Sequence, residues 1–361
     1  MLFKRLVNIL LVRFLAPIIL ACSHILPIRQ KFALLARLRS TQGSDLWLDA
    51  LQEYTRLEKT AEAELNNISS RLELFDNRSG DSVPCQSSDV KGEIKPSFPS
   101  EKIPTVSYKC LNYELLVDAM SNHGTLIVKG GLKPSEVAVL KAGVIDARAA
   151  RESGIESDDG RKHYSALQSG QNQGRSHMIK RSVYLPEAPA VLTDFLSVLY
   201  DGKFKSLVRK YLLGAASFSV EKSVLRIAEP DDSDKWDFAW HQDGAFLGEN
   251  VRSLNMWVAL SDCGVNAPSL DIITNRYHEV LPTGTDRAFD SWALGPELVE
   301  SEIKKYGYEH LIIEAGDVVL FDHLNVHRTG MLKGMTQERY AIECWFFSEF
   351  AFPDGKTGMR F

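Results

Sequence analysis

The sequence predicts a mainly β domain with flanking helices, built on a jelly-roll core. Two observations carry this. Helical patterns crowd the first part of the C-terminal region, whereas short β-branched or aromatic runs separated by turn residues fill everything beyond Ala215. In addition, strand and helix do not alternate in that second half, as a doubly wound parallel sheet would require.

The elements follow in order. Residues 124–129 (GTLIVK) form a short apolar strand. Pro134 and Glu136 then open a helix over 137–151, proline and an acid being expected at a helix start. Residues 151–176 are polar and Gly-rich and read as a mobile loop, and helical patterns return at 189–200 and 204–213. Strands are expected at 217–227, 254–260, 270–273, 311–313, 318–321 and 340–347. The whole domain spans residues 105–361, beginning near Ile103.

Three segments precede it. Residues 1–40 carry Lys4, Arg5, Arg13, Arg29, Lys31, Arg37 and Arg39 with no acid, between apolar blocks that Arg13, Pro17 and Pro27 interrupt. They fall short of the roughly 20 apolar residues of a spanning helix. Such a segment suits a membrane interface, attracted to anionic lipid; a helix packed on its own domain and an export signal ending at Ile19-Leu20-Ala21-Cys22 are the alternatives. Over 44–75 a helix carries Trp47, Leu51, Tyr54, Glu58, Ala61, Leu65, Ile68 and Leu72 at alternating steps of four and three. That is a heptad seam able to pair two copies, or an amphipathic helix lying on the domain. Residues 76–104, rich in Ser, Pro and Gly, read as a flexible linker.

Composition bounds the function. At 361 residues, 44% hydrophobic and 25% charged, the chain is neither disordered, collagen-like nor a multi-span membrane protein. A net charge of −5 gives no general electrostatic reason to bind nucleic acid. Five scattered cysteines without a C-x-x-C pair give no sign of a disulfide framework or zinc cluster and suit a reducing, cytoplasmic compartment, with membrane association through the basic N-terminus.

The sharpest local signal is Trp240-His241-Gln242-Asp243-Gly244. In an extended segment His241 and Asp243, two apart, point to one face and can supply an imidazole and a carboxylate to a metal. A turn at Gly316 and an apolar strand lead to His327, and Arg339 opens the strand that follows. Two histidines and one carboxylate with open coordination positions describe the ligand set of non-haem Fe(II) oxygenases. Arg339 adds a planar cation suited to holding a carboxylate; a structural ion pair is the alternative use. His323 lies four residues before His327, and strand periodicity does not choose between them.

These residues resemble the phytanoyl-CoA dioxygenase family of Fe(II)- and 2-oxoglutarate-dependent oxygenases. The resemblance runs through residues 123–150, 240–244, 254–263 (LNMWVALSDC) and 321–330 to Arg339. Asp322 stands where the family often has an apolar residue, and 269–278 matches loosely. The resemblance implies a double-stranded β-helix, cupin-like core and Fe(II) held by His241, Asp243 and His327. It places the ligand just before the hydroxyl residue Thr329, and so selects His327 over His323. It further implies 2-oxoglutarate as cosubstrate and O2 as oxidant, with Arg339, Thr329 and Trp257 around the cosubstrate, and hydroxylation of a small-molecule or lipid-like substrate. A solvent-facing threonine and a core tryptophan are the plainer readings of the last two. Lys180 and Arg181 offer an anionic substrate a contact or form a solvated pair, and His163, His177, His278 and His310 receive no role. The contrasting function is a non-catalytic or non-oxidative metal-binding barrel serving as a membrane-associated binding module.

Overall fold

The computed structural model describes residues 98–99, 102–153, 163–165, 183–214, 216–220, 222–230, 239–348, 351–353, 356 and 358–360. The basic apolar segment, the heptad helix, nearly all of the linker, most of the 151–176 loop, His177, Lys180 and Arg181 lie outside these residues. No helix among the described residues is long and apolar enough to cross a membrane.

The domain opens with β1 (Thr105–Ser107), α1 (Tyr113–Asn122), β2 (Thr125–Lys129) and α2 (Pro134–Ser153). Then come β3 (Val183–Tyr184), α3 (Pro189–Asp201), α4 (Phe204–Tyr211), β4 (Ala216–Ser219), β5 (Val224–Ala228) and the single turn α5 (Gly244–Leu247). The second half holds β6 (Ser253–Ala259), β7 (Ser269–Ile273), α6 (Pro296–Tyr306), β8 (Tyr308–His310), β9 (Val318–Phe321), β10 (His327–Gly330), β11 (Arg339–Ser348) and β12 (Gly358–Arg360).

The strands form two sheets. The larger runs β1-β2-β9-β6-β11-β4-β12, with β5 also on β11 and β3 on β5; the smaller runs β10-β7-β8. Because side chains alternate between sheet faces, each large-sheet strand serves two cores. Val128, Val258, Leu320, Ile342 and Phe346 pack with Leu140 of α2, Phe195 of α3 and Phe204 of α4. Their neighbours Ile127, Trp257, Phe321 and Trp345 turn the other way and meet Leu270 and Ile272 of the small sheet. Burial on both faces explains why these strands read as unbroken apolar runs. The result is a jelly-roll of two facing sheets with helices behind the larger one. Among the described residues the sheets do not close into a barrel.

Two expectations need correction, and two helices were missed. The strand over 217–227 is two strands, β4 ending at Ser219 and β5 beginning at Val224, which lie one after the other along the same edge of β11. The run 311–313 is no strand; Cys263 and Ile313 exchange backbone hydrogen bonds (2.8 and 3.1 Å) as a single bridge, and the strand is β8 just before it. Helices α1 and α6 went unread, although Asn112 caps α1 by accepting from Leu115 N–H (2.9 Å) and Pro296 opens α6.

Candidate metal centre

His241 sits between two neighbours. Its backbone bridges His327 on one side and Ala293 on the other. The next residue, Gln242, is buried and fills its amide: Nε2 donates to Leu324 O (2.7 Å) and Glu279 O (3.1 Å), while Oε1 accepts from Leu281 N–H (2.7 Å). The chain then bends. Asp243 takes helical angles (φ −65°, ψ −20°) and starts α5, so the H-x-D pair is not the extended segment the spacing suggested. It converges nonetheless: His241 Nε2 lies 3.8 Å from Asp243 Oδ1 because the bend swings the carboxylate back. Gly244 permits this approach. Its N–H donates to His323 O (2.8 Å), and a Cβ there would stand 2.7 Å from Val280.

His327 is delivered by a tight loop over 322–326. Asp322 accepts from Leu324 N–H (3.0 Å) and pairs with Arg276 (2.7 Å), while Asn325 donates to Thr125 Oγ1 (2.5 Å). His327 then opens β10, opposite Ile272.

Both imidazoles are oriented from behind. Nδ1 of His241 donates to Ala239 O (2.8 Å) and Nδ1 of His327 to Asn325 O (3.1 Å), leaving each Nε2 as the free lone pair. His327 Nε2 is 3.6 Å from Asp243 Oδ2, and one ligand atom from each of the three residues lies within 4.8 Å of the others. Burial, reinforced by neighbouring His327, holds His241 down to about 4. Burial likewise lowers His327 and pushes Asp243 up to about 6. Asp243 Oδ2 is buried and has no hydrogen-bond partner among the described residues. Two neutral imidazoles and a carboxylate that burial makes costly to ionise fit a divalent cation, which would supply the missing partner.

Arg339, Thr329 and Trp257 line the same cavity as the three ligands. Arg339 begins β11, is only 4% exposed, donates from Nη1 to Ser269 O (2.9 Å) and lies 5.6 Å from the Trp257 ring centre. Thr329 is two residues beyond His327 on β10, hence on the same face.

His323 does not line the cavity. Its Nε2 donates to Glu249 O (3.2 Å) and its Nδ1 accepts from Ser253 Oγ (2.9 Å), so the ring staples the loop to β6. His310 is also occupied, against Asp271 (2.6 Å) and Gly264 O (3.0 Å).

Sequence reasoning missed Arg226 and Glu343, which also line the cavity. Arg226 Nε donates to Glu343 Oε2 (2.8 Å), and Trp345 Nε1 donates to Glu343 Oε1 (3.1 Å). Burial alone would raise the Glu343 carboxyl, but the adjacent Arg226 guanidinium overrides it and holds the group below its ordinary value. A signal was there: Glu343 shares the inward face of β11 with Ala341, Trp345 and Phe347, where a charge is out of place.

The model of the phytanoyl-CoA dioxygenase (PhyH) family matches residues 120–334. Among solved structures, the chain is similar to AviO1 from Streptomyces viridochromogenes Tue57 (19% identity, TM-score 0.44, covering 67% of this chain and 98% of that one). It is similar also to EctD from S. alaskensis with 2-oxoglutarate and 5-hydroxyectoine (14% identity, TM-score 0.48, 75% and 87%). A third is SnoK, a non-heme alpha ketoglutarate dependent carbocyclase from nogalamycin biosynthesis (14% identity, TM-score 0.45, 68% and 87%). No curated protein matches the chain.

Proposed function

This chain belongs to the phytanoyl-CoA dioxygenase family, and on that premise we propose that it hydroxylates a small molecule using Fe(II), 2-oxoglutarate and O2. The broader statement, an oxygenase-type enzyme acting on a small molecule, follows from the family itself. The observation that carries the reading is the buried cluster of His241, Asp243 and His327, with both Nδ1 atoms engaged behind and Asp243 Oδ2 unsatisfied in front.

In this reading His241 Nε2, His327 Nε2 and the Asp243 carboxylate hold Fe(II). Bound iron with 2-oxoglutarate supplies the oxygen-activating chemistry that amino-acid side chains lack, at the expense of decarboxylating the cosubstrate to succinate. The chain's own groups bind and orient. Arg339 matches the distal carboxylate of 2-oxoglutarate in shape and charge, Thr329 offers it a hydroxyl, and Trp257 forms the wall beside the guanidinium. Phe321, whose ring lies 4.8 Å from that of His327, gives that side of the cavity an apolar wall, backed by Trp345 in edge contact with it. A non-catalytic barrel has no use for this set and is not favoured. Beyond the domain, the reading includes membrane contact through residues 1–40 and pairing of two copies through 44–75.

The test is succinate release by the Fe(II)-loaded protein with 2-oxoglutarate and ascorbate, together with mass spectrometry for one labelled oxygen atom from O2 in the product. Succinate formed only with iron, and a labelled hydroxyl group, are expected. No iron-dependent succinate would overturn the oxygenase reading, and an oxidised product without labelled oxygen would overturn hydroxylation.

A further inference from the structure

Arg226 and Glu343 are not accounted for by the three ligands or by a carboxylate anchor at Arg339. Arg226 stands on β5 opposite Ala341, and Glu343 stands two residues further along β11, opposite Trp257 of β6. Both turn into the cavity that holds His241, Asp243 and His327, with side chains only 20% and 14% exposed. The fold does not explain them. Their neighbours on the inward face of β11, Ala341 and Trp345, are apolar, and a buried ion pair is commonly no more stabilising than apolar residues of the same volume.

We infer that Arg226 and Glu343 are the substrate-recognition pair of this cavity, and that the substrate donates hydrogen bonds to Glu343 through hydroxyl or ammonium groups instead of presenting a bare alkyl chain. The inference rests on the oxygenase reading and narrows its substrate class. A carboxylate offers about four acceptor positions. Among the described residues Glu343 uses one on Arg226 Nε and one on Trp345 Nε1, which leaves acceptor capacity for a ligand. Arg226 keeps that carboxylate ionised and fixes its direction. An alkyl chain laid against the pair would strip water from two charged groups and return no hydrogen bond, which is unfavourable. A hydroxyl or ammonium group replaces the lost water.

The experiment uses the full chain loaded with Fe(II) and 2-oxoglutarate. The probes are three fractions of a cell's small molecules: amines retained on a cation exchanger, unretained polar compounds, and lipids retained on a reversed-phase column. Succinate release is expected to rise with a polar fraction, amines and hydroxyl compounds being told apart by which one acts, and not with the lipids. Glu343→Gln should raise the amount needed for half stimulation about tenfold, the scale of one charge-assisted hydrogen bond. Stimulation by lipids alone, or an unchanged requirement in Glu343→Gln, overturns the inference. Thermal unfolding of the double variant Arg226→Met, Glu343→Gln, which removes both charges but keeps an acceptor for Trp345 Nε1, decides without any substrate: Tm should hold or rise, and a clear fall would show that the ion pair serves the fold. The charge-transfer absorption of the iron–2-oxoglutarate complex is recorded in the same samples. Its absence in the unmodified protein strikes the oxygenase reading; its presence with lipid-only stimulation strikes the Glu343 assignment alone.

Discussion

His241 and His327 hold each other in register: the backbone N–H of each donates to the carbonyl of the other at 3.0 Å, and their rings lie 4.4 Å apart. The bridge links the bend that carries Asp243 to the first residue of β10. Metal geometry here is therefore set by main-chain hydrogen bonds, before any ion binds. That preorganisation makes the contribution of each histidine separable.

His327→Ala should abolish tight Fe(II) binding. Removing even the groups behind metal ligands costs about 10–100-fold in affinity, and losing a ligand costs more. His323→Ala should leave affinity within a few-fold but lower stability by about 1–3 kcal/mol, because it strands Ser253 and the Glu249 carbonyl. Metal titration and thermal unfolding of the two variants separate these outcomes. Equal metal loss in both would mean that the loop over 322–326 presents its histidines differently.

Metal binding should weaken in mild acid, with Asp243 as the controlling group. Burial raises its carboxyl to about 6, whereas burial and His327 hold His241 near 4. Above pH 6 the site is deprotonated and ready. Below it the metal must displace a proton from Asp243, so affinity should fall about tenfold per pH unit down toward 4. The linkage sign agrees. A carboxyl raised in the folded state destabilises the metal-free protein as pH rises from its unfolded value through 6, and bound metal offsets that. The gain in Tm on adding Fe(II) anaerobically should hence be larger at pH 7.5 than at pH 5; an equal gain would exclude Asp243 as ligand.

How much of this was legible in the sequence depends on what kind of signal each residue sends. His241, Asp243, His327 and Arg339, which line one cavity, could be picked out because they are rare residue types in a set order that suits metal ligation and carboxylate binding. The strands of the large sheet were readable as apolar runs, since helices cover one face and the small sheet the other. Three things were less so. The break between β4 and β5 comes from pairing along β11, a tertiary constraint with no local mark. Glu343 left a mark in the alternation of β11, a charge among Ala341, Trp345 and Phe347, but its place in the cavity needed the register that sets it opposite Trp257. The separation of His323 from His327 also needed the loop over 322–326, which breaks the strand periodicity on which both had looked equivalent.

The product should carry a hydroxyl group and no halogen. Asp243 occupies with a carboxylate the position that a halide would need at iron, and its Oδ1 and Oδ2 lie 3.8 and 3.6 Å from the two Nε2 atoms. Incubation in concentrated chloride should give no chlorinated product by mass spectrometry. Chlorine incorporated by the unmodified protein would mean that Asp243 leaves the metal during turnover.

Deleting residues 1–40 should release the protein from anionic liposomes while iron and 2-oxoglutarate binding persist. The segment carries seven Lys and Arg residues and no acid, so attraction to lipid should fade as salt rises. Co-sedimentation at two salt concentrations measures both effects. Intact and truncated chains that bind liposomes equally would exclude an interfacial role.

Arg339→Ala should separate cosubstrate binding from metal binding. The guanidinium is 4% exposed, held by Ser269 O and placed over Trp257, in the cavity that contains the three metal ligands. A buried cation in such a place is matched best by the distal carboxylate of 2-oxoglutarate, and burial makes that carboxylate costly to leave unpaired. Iron affinity should change little, because the ligands are oriented by Ala239, Asn325 and the mutual bridge of His241 and His327, none of which involves Arg339. Binding of 2-oxoglutarate should weaken by about 2–5 kcal/mol, the cost of stranding one partner of a buried charge pair. Arg339→Lys should recover part of it, since a point charge replaces the fork but loses its second hydrogen bond. Anaerobic titration of the charge-transfer band reads both affinities in one sample. If Arg339→Ala binds 2-oxoglutarate as tightly as the unmodified protein, the anchor is another cation of the cavity wall, and Arg226 is the one positioned to take its place.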